Sequence, residues 1–458
     1  MPADQAETGL PPLPPVGAPA WVRPVAAAAL VLLPCGMAAI AFRTHAFRVE
    51  FFGQLQGWLI TSGKAAGLAA LTLVMLQFAM SARLRLLDRA FGLDRLMRVH
   101  RYAGAAAGVL AVAHPLLLFA ADNYRAGPMD LSSWPLLLGA AVLTLLAVVL
   151  CTSLWRAFLM LPYGVWLWIH RLVFVIAAAA VTHALRLGAD LSQAWARTAL
   201  LVLFGAYAAL FAWVKAARPI LLLRRRFSVA AVRQLNHNVC RLELTPISHP
   251  GLVNLPGQFA FLRIKGRNVP SEEHPFTISS PPARDGAVAF TIKASGDFTR
   301  LIPHVAPGDR AKVHGPFGRF SFLARTQPGR PLVMIAGGVG VTPMLSMLGY
   351  LAEADPQRQV TFIWANRRQR DIFDMQWLEQ IAARMPHLDV HHVLAEQPDW
   401  PGERGLLDRA VLDRLLPANR GQADVYLCGP PAMMDSVRSS LLKLGVRRRG
   451  IHTERFQL

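Results

Sequence analysis

The chain has 458 residues, of which 53% are hydrophobic and 17% charged, with a formal net charge of +20. A soluble protein carries about one quarter charged residues, so the composition excludes a purely soluble chain, and the length allows two or three domains. The four cysteines, Cys35, Cys151, Cys240 and Cys428, form no CxxC pair, which argues against a disulfide framework, a zinc site or a four-thiolate iron–sulfur cluster.

In chain order, residues 1–20 are Pro-rich and lack a basic n-region. They read as a disordered cytoplasmic tail and not as a cleaved signal peptide. Six apolar segments follow, near 22–42, 57–80, 100–120, 133–153, 166–187 and 196–216, each about long enough to cross a bilayer core. Arg83, Arg85, Arg89, Arg95, Arg98 and Arg101 fall between the second and third runs, and Lys215, Arg218 and Arg224 to Arg226 follow the last. That is the positive-inside pattern, and it favours a membrane surface over nucleic acid as the reason for the charge. It predicts a transmembrane domain over 21–220 with both termini inside.

Four histidines lie in these spans: His100 and His114 on the third, His170 and His183 on the fifth. Ionisable groups at membrane depth are functional candidates by default, although a lone histidine is as readily explained by helix packing. The intervals of 14 and 13 residues separate each pair by about 20 Å along a helix. The two spans run in the same direction, so His100 can face His170 and His114 can face His183, each pair offering both axial nitrogens to a haem iron. Fourteen steps return His114 to within about 40° of His100, whereas thirteen leave His183 some 140° from His170. Span five therefore needs local overwinding or a kink, or the two groups approach it from different sides. Arg98, Arg101 and Arg171 serve equally as interface anchors or propionate partners.

After Arg226 the period changes. FSVAAV, RLELTPI, QFAFLRI and AVAFTIKAS read as strands of a β-rich domain over 227–326. From Pro331 strands alternate with helices: PLVMIA before TPMLSMLGYLAEA, QVTFIWAN before DMQWLEQIAARM, DVYLCGP before AMMDSVRSSLLKL. This predicts a doubly wound nucleotide-type α/β domain over 329–458. In HPFTISSPP, His274, Pro275, Phe276, Thr277 and Ser279 offer a strand edge, hydroxyls and an aromatic ring suited to a flavin, though the segment alone reads equally as a strand end. Gly296 and Thr299 stand at a helix start where free N–H groups hold a pyrophosphate, and GPFG, Gly315 to Gly318, makes a tight turn. In IAGGVGVTPM, Gly337, Gly338 and Gly340 permit close approach to a phosphate, Thr342 suits an N-cap and Pro343 the first helical position. Cys428, Gly429 and Pro430 form a second such edge. Arg367 and Arg368 suit a 2′-phosphate or a solvated basic turn, leaving NADPH and NADH both open.

Taken together, the four membrane histidines, HPFT, GDFT, GPFG, AGGVGVTP, CGPPAM and the near-terminal Phe456 resemble, in that order, the ferric reductase and NADPH oxidase superfamily, over residues from about 55 to 458. The resemblance implies a membrane all-α six-helix bundle, then a flavin-binding β-barrel and an α/β doubly wound nucleotide-binding domain. It implies FAD, two haem b groups and NADPH (or NADH), with His100/His170 and His114/His183 as iron ligands. His274 to Thr277 and Thr299 would contact FAD; Gly337 to Thr342, Arg367 and Cys428 to Pro430 would contact the nicotinamide nucleotide. Thr277 and Phe456 would flank the flavin ring as catalytic residues. The implied activity is a transmembrane oxidoreductase passing electrons from cytoplasmic NAD(P)H to a small acceptor across the membrane: a ferric chelate, or dioxygen giving superoxide. The alternative is an electron-delivery subunit that reduces a partner protein or quinone. Leu118 stands where superoxide-forming eukaryotic members resemble one another in a further histidine, which brings ferric chelates and quinones forward. The implied location is a bacterial inner membrane, with the FAD and NAD(P) domains cytoplasmic.

Overall fold

A computed structural model describes residues 10–45, 55–121, 133–223, 225–266 and 269–455. The described residues divide into two compact units, one running from Ala18 to Arg218 and one containing 10–17 together with the chain from Pro219 onward.

The first unit holds helices long and apolar enough to cross a membrane at Val22–Arg43, Leu55–Ser81, Leu93–Ala121, Trp134–Leu154 and Tyr163–Leu187, and a sixth, Ala194–Leu222, starts in it. They are called spans one to six below. Most begin or end a few residues beyond the apolar runs. Span three starts at Leu93 because Asp94, Arg95 and Arg98 continue the helix, and hydropathy cannot register a helix that extends into a polar interface. Span two is the enclosed one, with 67% of its apolar window buried against at most 22% elsewhere. Its Leu68, Leu71, Val74 and Met75 pack with Ala107, Leu146, Ile176 and Val181. The remaining spans expose large apolar side chains such as Val109, Leu116, Val175 and Val202, as lipid-facing surfaces do. Span five is broken at Leu172 into Tyr163–Arg171 and Val173–Leu187. There the Leu172 N–H donates to the Ile169 carbonyl three residues back, at 3.0 Å. A turn of this kind advances about 120° per residue instead of 100°, so it takes up part of the mismatch between His170 and His183.

Of the expected N-terminal tail, Leu10 and Pro11 are packed and Pro12 and 15–17 are exposed. Arg284 Nε donates to the Leu10 carbonyl at 3.4 Å; an apolar Leu-Pro segment gains more from burial than from solvation.

The second unit begins with an antiparallel sheet of β1 (Arg226–Gln234), β2 (Val239–Ile247), β3 (Phe259–Lys265), β4 (Glu273–Thr277), β5 (Val288–Lys293) and β6 (Arg310–Phe317). Its order is β4-β3-β6-β1-β2-β5, and a bridge from Ile278 to Phe290 joins the two edges, curling the sheet into a barrel. Inward positions are apolar: Phe227, Leu242, Leu262, Ile264, Phe290 and Val313 form its core. A parallel sheet follows, of β7 (Leu332–Gly337), β8 (Val360–Asn366), β9 (Leu388–Leu394), β10 (Glu403–Arg404), β11 (Asp424–Cys428) and β12 (Ile451–Glu454), in the order β10-β9-β8-β7-β11-β12. Strands β7 and β11 are buried along their whole length, as strands covered by helices on both faces must be. The glycine-rich turns thus lie at carboxyl ends of β7 and β11, the edge where such sheets bind ligands.

Candidate functional site

Inside the helical unit, the His100 and His170 rings have centroids 6.1 Å apart, and those of His114 and His183 are 6.3 Å apart. Two metal–nitrogen bonds of about 2 Å each, with half an imidazole beyond each, give a centroid separation of about 6 Å. Among the described residues no group of three His, Cys, Asp or Glu side chains could hold a metal ion. A metal between either pair would need further donors, and a porphyrin is one source of four.

Hydrogen bonding sets which nitrogen is available. His100 Nδ1 lies 3.2 Å from the Gln77 carbonyl, His114 Nδ1 2.8 Å from the Gly63 carbonyl, and His183 Nδ1 2.8 Å from the Pro135 carbonyl. A carbonyl only accepts, so Nδ1 of His114 and of His183 carries the proton and their Nε2 keeps a lone pair; His100 Nδ1 also has the Gln77 side-chain amide 2.7 Å away. His170 reaches the same state through Ser153, 3.2 Å from its Nδ1. The Ser153 hydroxyl donates to the Val149 carbonyl at 2.6 Å and accepts from Trp166 Nε1 at 3.2 Å, which leaves one lone pair for the His170 Nδ1–H. Trp166 also stacks on His170 at 5.2 Å. Such partners orient metal-bound imidazoles and raise their basicity. Glycine supplies the space: a Cβ at Gly139 would lie 2.4 Å from His183 Cε1, and one at Gly67 would lie 2.8 Å from His114 Nδ1. Arg171 lies over the Trp168 ring at 5.3 Å, a contact typical of an interface anchor.

On the barrel, the stretch from His274 to Thr277 is β4. His274 stacks on Phe298 at 4.2 Å and donates from Nε2 to Glu272 Oε2 at 3.0 Å; Phe276 lies nearly parallel to the same Phe298. Pro275 is exposed and Thr277 buried at the strand end. Two expected ligand groups are engaged elsewhere. The Ser279 hydroxyl is turned inward, donating to the Ala289 carbonyl at 3.1 Å and lying 2.9 Å from Thr291 Oγ1. Thr299 Oγ1 accepts from the Ser295 and Gly296 N–H groups at 3.0 and 2.8 Å. These two amides are therefore not free for a pyrophosphate, because a threonine three residues into a turn satisfies them first.

In the parallel-sheet domain the glycines divide their work. A Cβ at Gly340 would lie 2.6 Å from the Cys428 carbonyl, and one at Gly337 would meet Met433 and Pro430. Both let the AGGVG and CGPP turns touch. Gly338 has φ +54° and open space beside it, so it is the position where a ligand can approach the backbone. Its carbonyl accepts from Trp364 Nε1 at 3.0 Å. Thr342 is not the N-cap; a 3-10 turn, Gly338–Val341, runs straight into the helix. The Thr342 hydroxyl instead donates to the Val339 carbonyl at 3.1 Å, and Pro343 occupies the second helical position. Cys428 is fully buried, and burial together with Glu454 pushes its thiol well up. Arg367 and Arg368 are exposed beyond β8, with Nε atoms 3.6 and 3.4 Å from Glu396.

Thr277 pairs with Phe259 across β4 and β3. A Cβ at Gly318 would lie 3.0 Å from the Phe259 ring and 3.8 Å from Glu454 Oε1, and Glu454 is the register partner of Cys428. Thr277, Glu454 and Cys428 therefore converge where the barrel meets the parallel sheet. Phe456 lies outside the described residues. Glu454 is a candidate site residue that the sequence does not mark, apart from standing two positions before Phe456. Gly67, Gly139, Ser153 and Trp166 were likewise missed, since nothing in a helical run marks which side chain faces an imidazole.

Three family models match the chain: a ferric reductase like transmembrane component over residues 66–181, an FAD-binding domain over 224–316 and an oxidoreductase NAD-binding domain over 334–439. The toluate 1,2-dioxygenase electron transfer component of Pseudomonas putida is 29% identical over 232 residues, 50% of this chain and 66% of that protein. The ferredoxin–NAD(P)+ reductase component of the naphthalene 1,2-dioxygenase/salicylate 5-hydroxylase systems of Ralstonia sp is 30% identical, covering 50% of this chain and 68% of that protein. The chain thus spans about two thirds of the length of these curated relatives. Among solved structures, the ferredoxin reductase in carbazole 1,9a-dioxygenase matches with 28% identity and TM-score 0.44, over 51% of this chain and 69% of that one.

Proposed function

This chain belongs to the ferric reductase and NADPH oxidase superfamily, and from that premise we propose that it is a transmembrane flavocytochrome b. It would take electrons from cytoplasmic NAD(P)H and deliver them across a bacterial inner membrane to a small acceptor, a ferric chelate or dioxygen. The FAD- and NAD-binding domains and the six apolar spans support this reading. The observation that carries it is the two imidazole pairs, each spaced for one six-coordinate iron and each with Nε2 free.

FAD when bound converts a two-electron donor into single electrons, and bis-histidine haem accepts them one at a time. The chain's own residues do the rest. His100, His170, His114 and His183 would hold iron, with Nδ1 protons parked on Gln77, Ser153, Gly63 and Pro135 so that ligand geometry does not change with the charge on the metal. His274 and Phe276 would support the flavin on the β4 edge, Thr277 would place a hydroxyl at the end of that edge, and Phe456 would cover the ring. Gly338 would admit the nucleotide pyrophosphate, and Arg367 and Arg368 would meet a 2′-phosphate. Glu454, half-buried at the end of β12 beside Cys428, would position the nicotinamide. Apolar spans exclude water between the pairs, so no side chain has to move a proton through the bilayer core.

A second reading has an observation of its own: both relatives are named as electron-transfer or reductase components. On that reading the chain reduces a partner protein or quinone. One experiment decides. The full-length protein in detergent, with FAD, is titrated anaerobically with NADPH and NADH and then with dithionite. Reduced b-type bands on nicotinamide addition, reoxidised by ferric citrate or air, support the reductase reading. Bands that form but are reoxidised only by quinone or a partner support the second. A folded protein with no haem bands after dithionite refutes both.

A further inference from the structure

The four imidazoles of the helical unit are not held alike. His114 and His183 each place Nδ1 2.8 Å from a backbone carbonyl, of Gly63 and of Pro135. His170 Nδ1 lies instead 3.2 Å from a side-chain hydroxyl, that of Ser153, half-buried near the end of span four. The hydroxyl hydrogen is already committed, donating to the Val149 carbonyl one turn back at 2.6 Å, as serine within a helix commonly does. The oxygen then has two lone pairs to offer. Trp166 Nε1–H takes one at 3.2 Å, and His170 Nδ1–H takes the other. One neutral oxygen therefore serves two N–H donors, both at the long end of the hydrogen-bond range. The indole is held in that position by its neighbours. It stacks on His170 with centroids 5.2 Å apart and planes 29° apart, and the Arg156 guanidinium lies over it at 5.5 Å.

An imidazole whose N–H donates strongly is a more electron-rich ligand, and hydrogen bonds of this kind are one lever by which a protein sets the potential of a ligated iron. The electron-rich ligand favours the oxidised, more highly charged metal. A carbonyl at 2.8 Å exerts that effect well; a hydroxyl at 3.2 Å shared with an indole exerts it weakly. We infer, resting on the bis-histidine reading above, that Ser153 and Trp166 are positioning residues that set the reduction potential of an iron held by His100 and His170. Ser153 lowers that potential by accepting the His170 Nδ1–H. Trp166 raises it by drawing on the same oxygen. The two side chains thus act on one ligand with opposite sign. If they served packing alone, losing either would loosen the same corner of the bundle, and the two changes would have the same sign.

The test is an anaerobic redox titration of the full-length protein in detergent, following the low-spin haem bands as two components. One hydrogen bond is worth about fivefold in an equilibrium, which for one electron is about 40 mV at about 59 mV per tenfold. Ser153→Ala should raise the potential of one component by about that amount and leave the other in place. Trp166→Phe, which keeps an aromatic ring beside His170 and removes the N–H, should lower the same component. Ser153→Thr, which keeps a hydroxyl able to bond the carbonyl one turn back, should hold the wild-type value. Shifts of the same sign in Ser153→Ala and Trp166→Phe, equal shifts of both components, or two haems of unchanged potential in both variants overturn the inference and leave the functional reading standing. Where Ser153→Ala loses a haem outright, the sign of the shift in Trp166→Phe decides alone. A folded wild-type protein without low-spin haem overturns the functional reading, and this inference falls with it.

Discussion

Replacing Gly139 by alanine should remove one haem from the protein. The new Cβ would stand 2.4 Å from His183 Cε1 and 2.7 Å from its Nδ1, where ordinary contact begins at 3.4 Å. The ring must therefore retreat by about 1 Å or rotate away. Metal–nitrogen bonds tolerate about 0.2 Å, so the axial bond cannot survive the move, and the 2.8 Å hydrogen bond from Nδ1 to the Pro135 carbonyl is lost with it. Helix stability works in the opposite direction, because alanine is favoured over glycine in a helix interior by about 1 kcal/mol; a loss of haem would not come from a weakened helix. The assay is haem per chain by pyridine haemochrome, with the low-spin bands read alongside. Wild type should give two, Gly139→Ala one, and Gly67→Ala one by the same crowding of His114, whereas Gly205→Ala, with open space around it, should keep two. Two low-spin haems of unchanged spectrum in Gly139→Ala would refute the pairing of His183 with an iron.

Other expectations follow from the second unit. Glu396→Gln, which frees Arg367 and Arg368 from a carboxylate 3.4 to 3.6 Å away, should lower KM for NADPH about two- to fivefold, as expected for exposed pairs, and leave NADH unchanged in steady-state kinetics. Burial pushes Cys240 up to about 11 and Cys428 well up, so neither should react with iodoacetamide in the folded protein at pH 8, and rapid labelling of either would contradict its placement. Burial, with Arg325 next, pushes His452 down to about 4, so the unfolded chain binds the extra proton between about pH 4 and 6.5. Stability of the nucleotide-binding domain should rise with pH across that window, by up to about 3 kcal/mol, and His452→Gln should flatten the dependence in thermal melts.

Much of this architecture is legible in the residue order because hydropathy and spacing report it directly. Six apolar runs mark six spans, and the 140° mismatch between His170 and His183 anticipates a break that the structure has at Leu172. Strand β6 escapes notice because Gly315, Pro316 and Phe317, its last three residues, read as a turn, and β9 because His391 and His392 interrupt its apolar run. The site is less legible where backbone does the work. The acceptors for three of the four imidazoles are carbonyls, which every residue possesses. A glycine motif likewise cannot say which member approaches a ligand: only the positive φ of Gly338 separates it from Gly337 and Gly340, which serve the contact between two turns. Thr299 and Ser279 show the limit of residue chemistry, since each hydroxyl is consumed locally before any ligand arrives.

The carbonyls that hold His114 and His100 belong to Gly63 and Gln77, fourteen positions apart on span two, as the two histidines are on span three. The numbers 63 and 114, and 77 and 100, have the same sum, so the antiparallel helices are pinned in one register at both ends. The two helices act as a ruler: the interval between the imidazole pairs, about 21 Å, is set by helix pitch and not by how side chains happen to fill the bundle. One residue inserted into span two between Gly63 and Gln77 would put the two pins about 100° out of phase, so that only one could remain engaged. Point substitutions along the helix leave the interval intact, which makes the spacing of the two imidazole pairs tolerant of sequence drift and intolerant of changes in length.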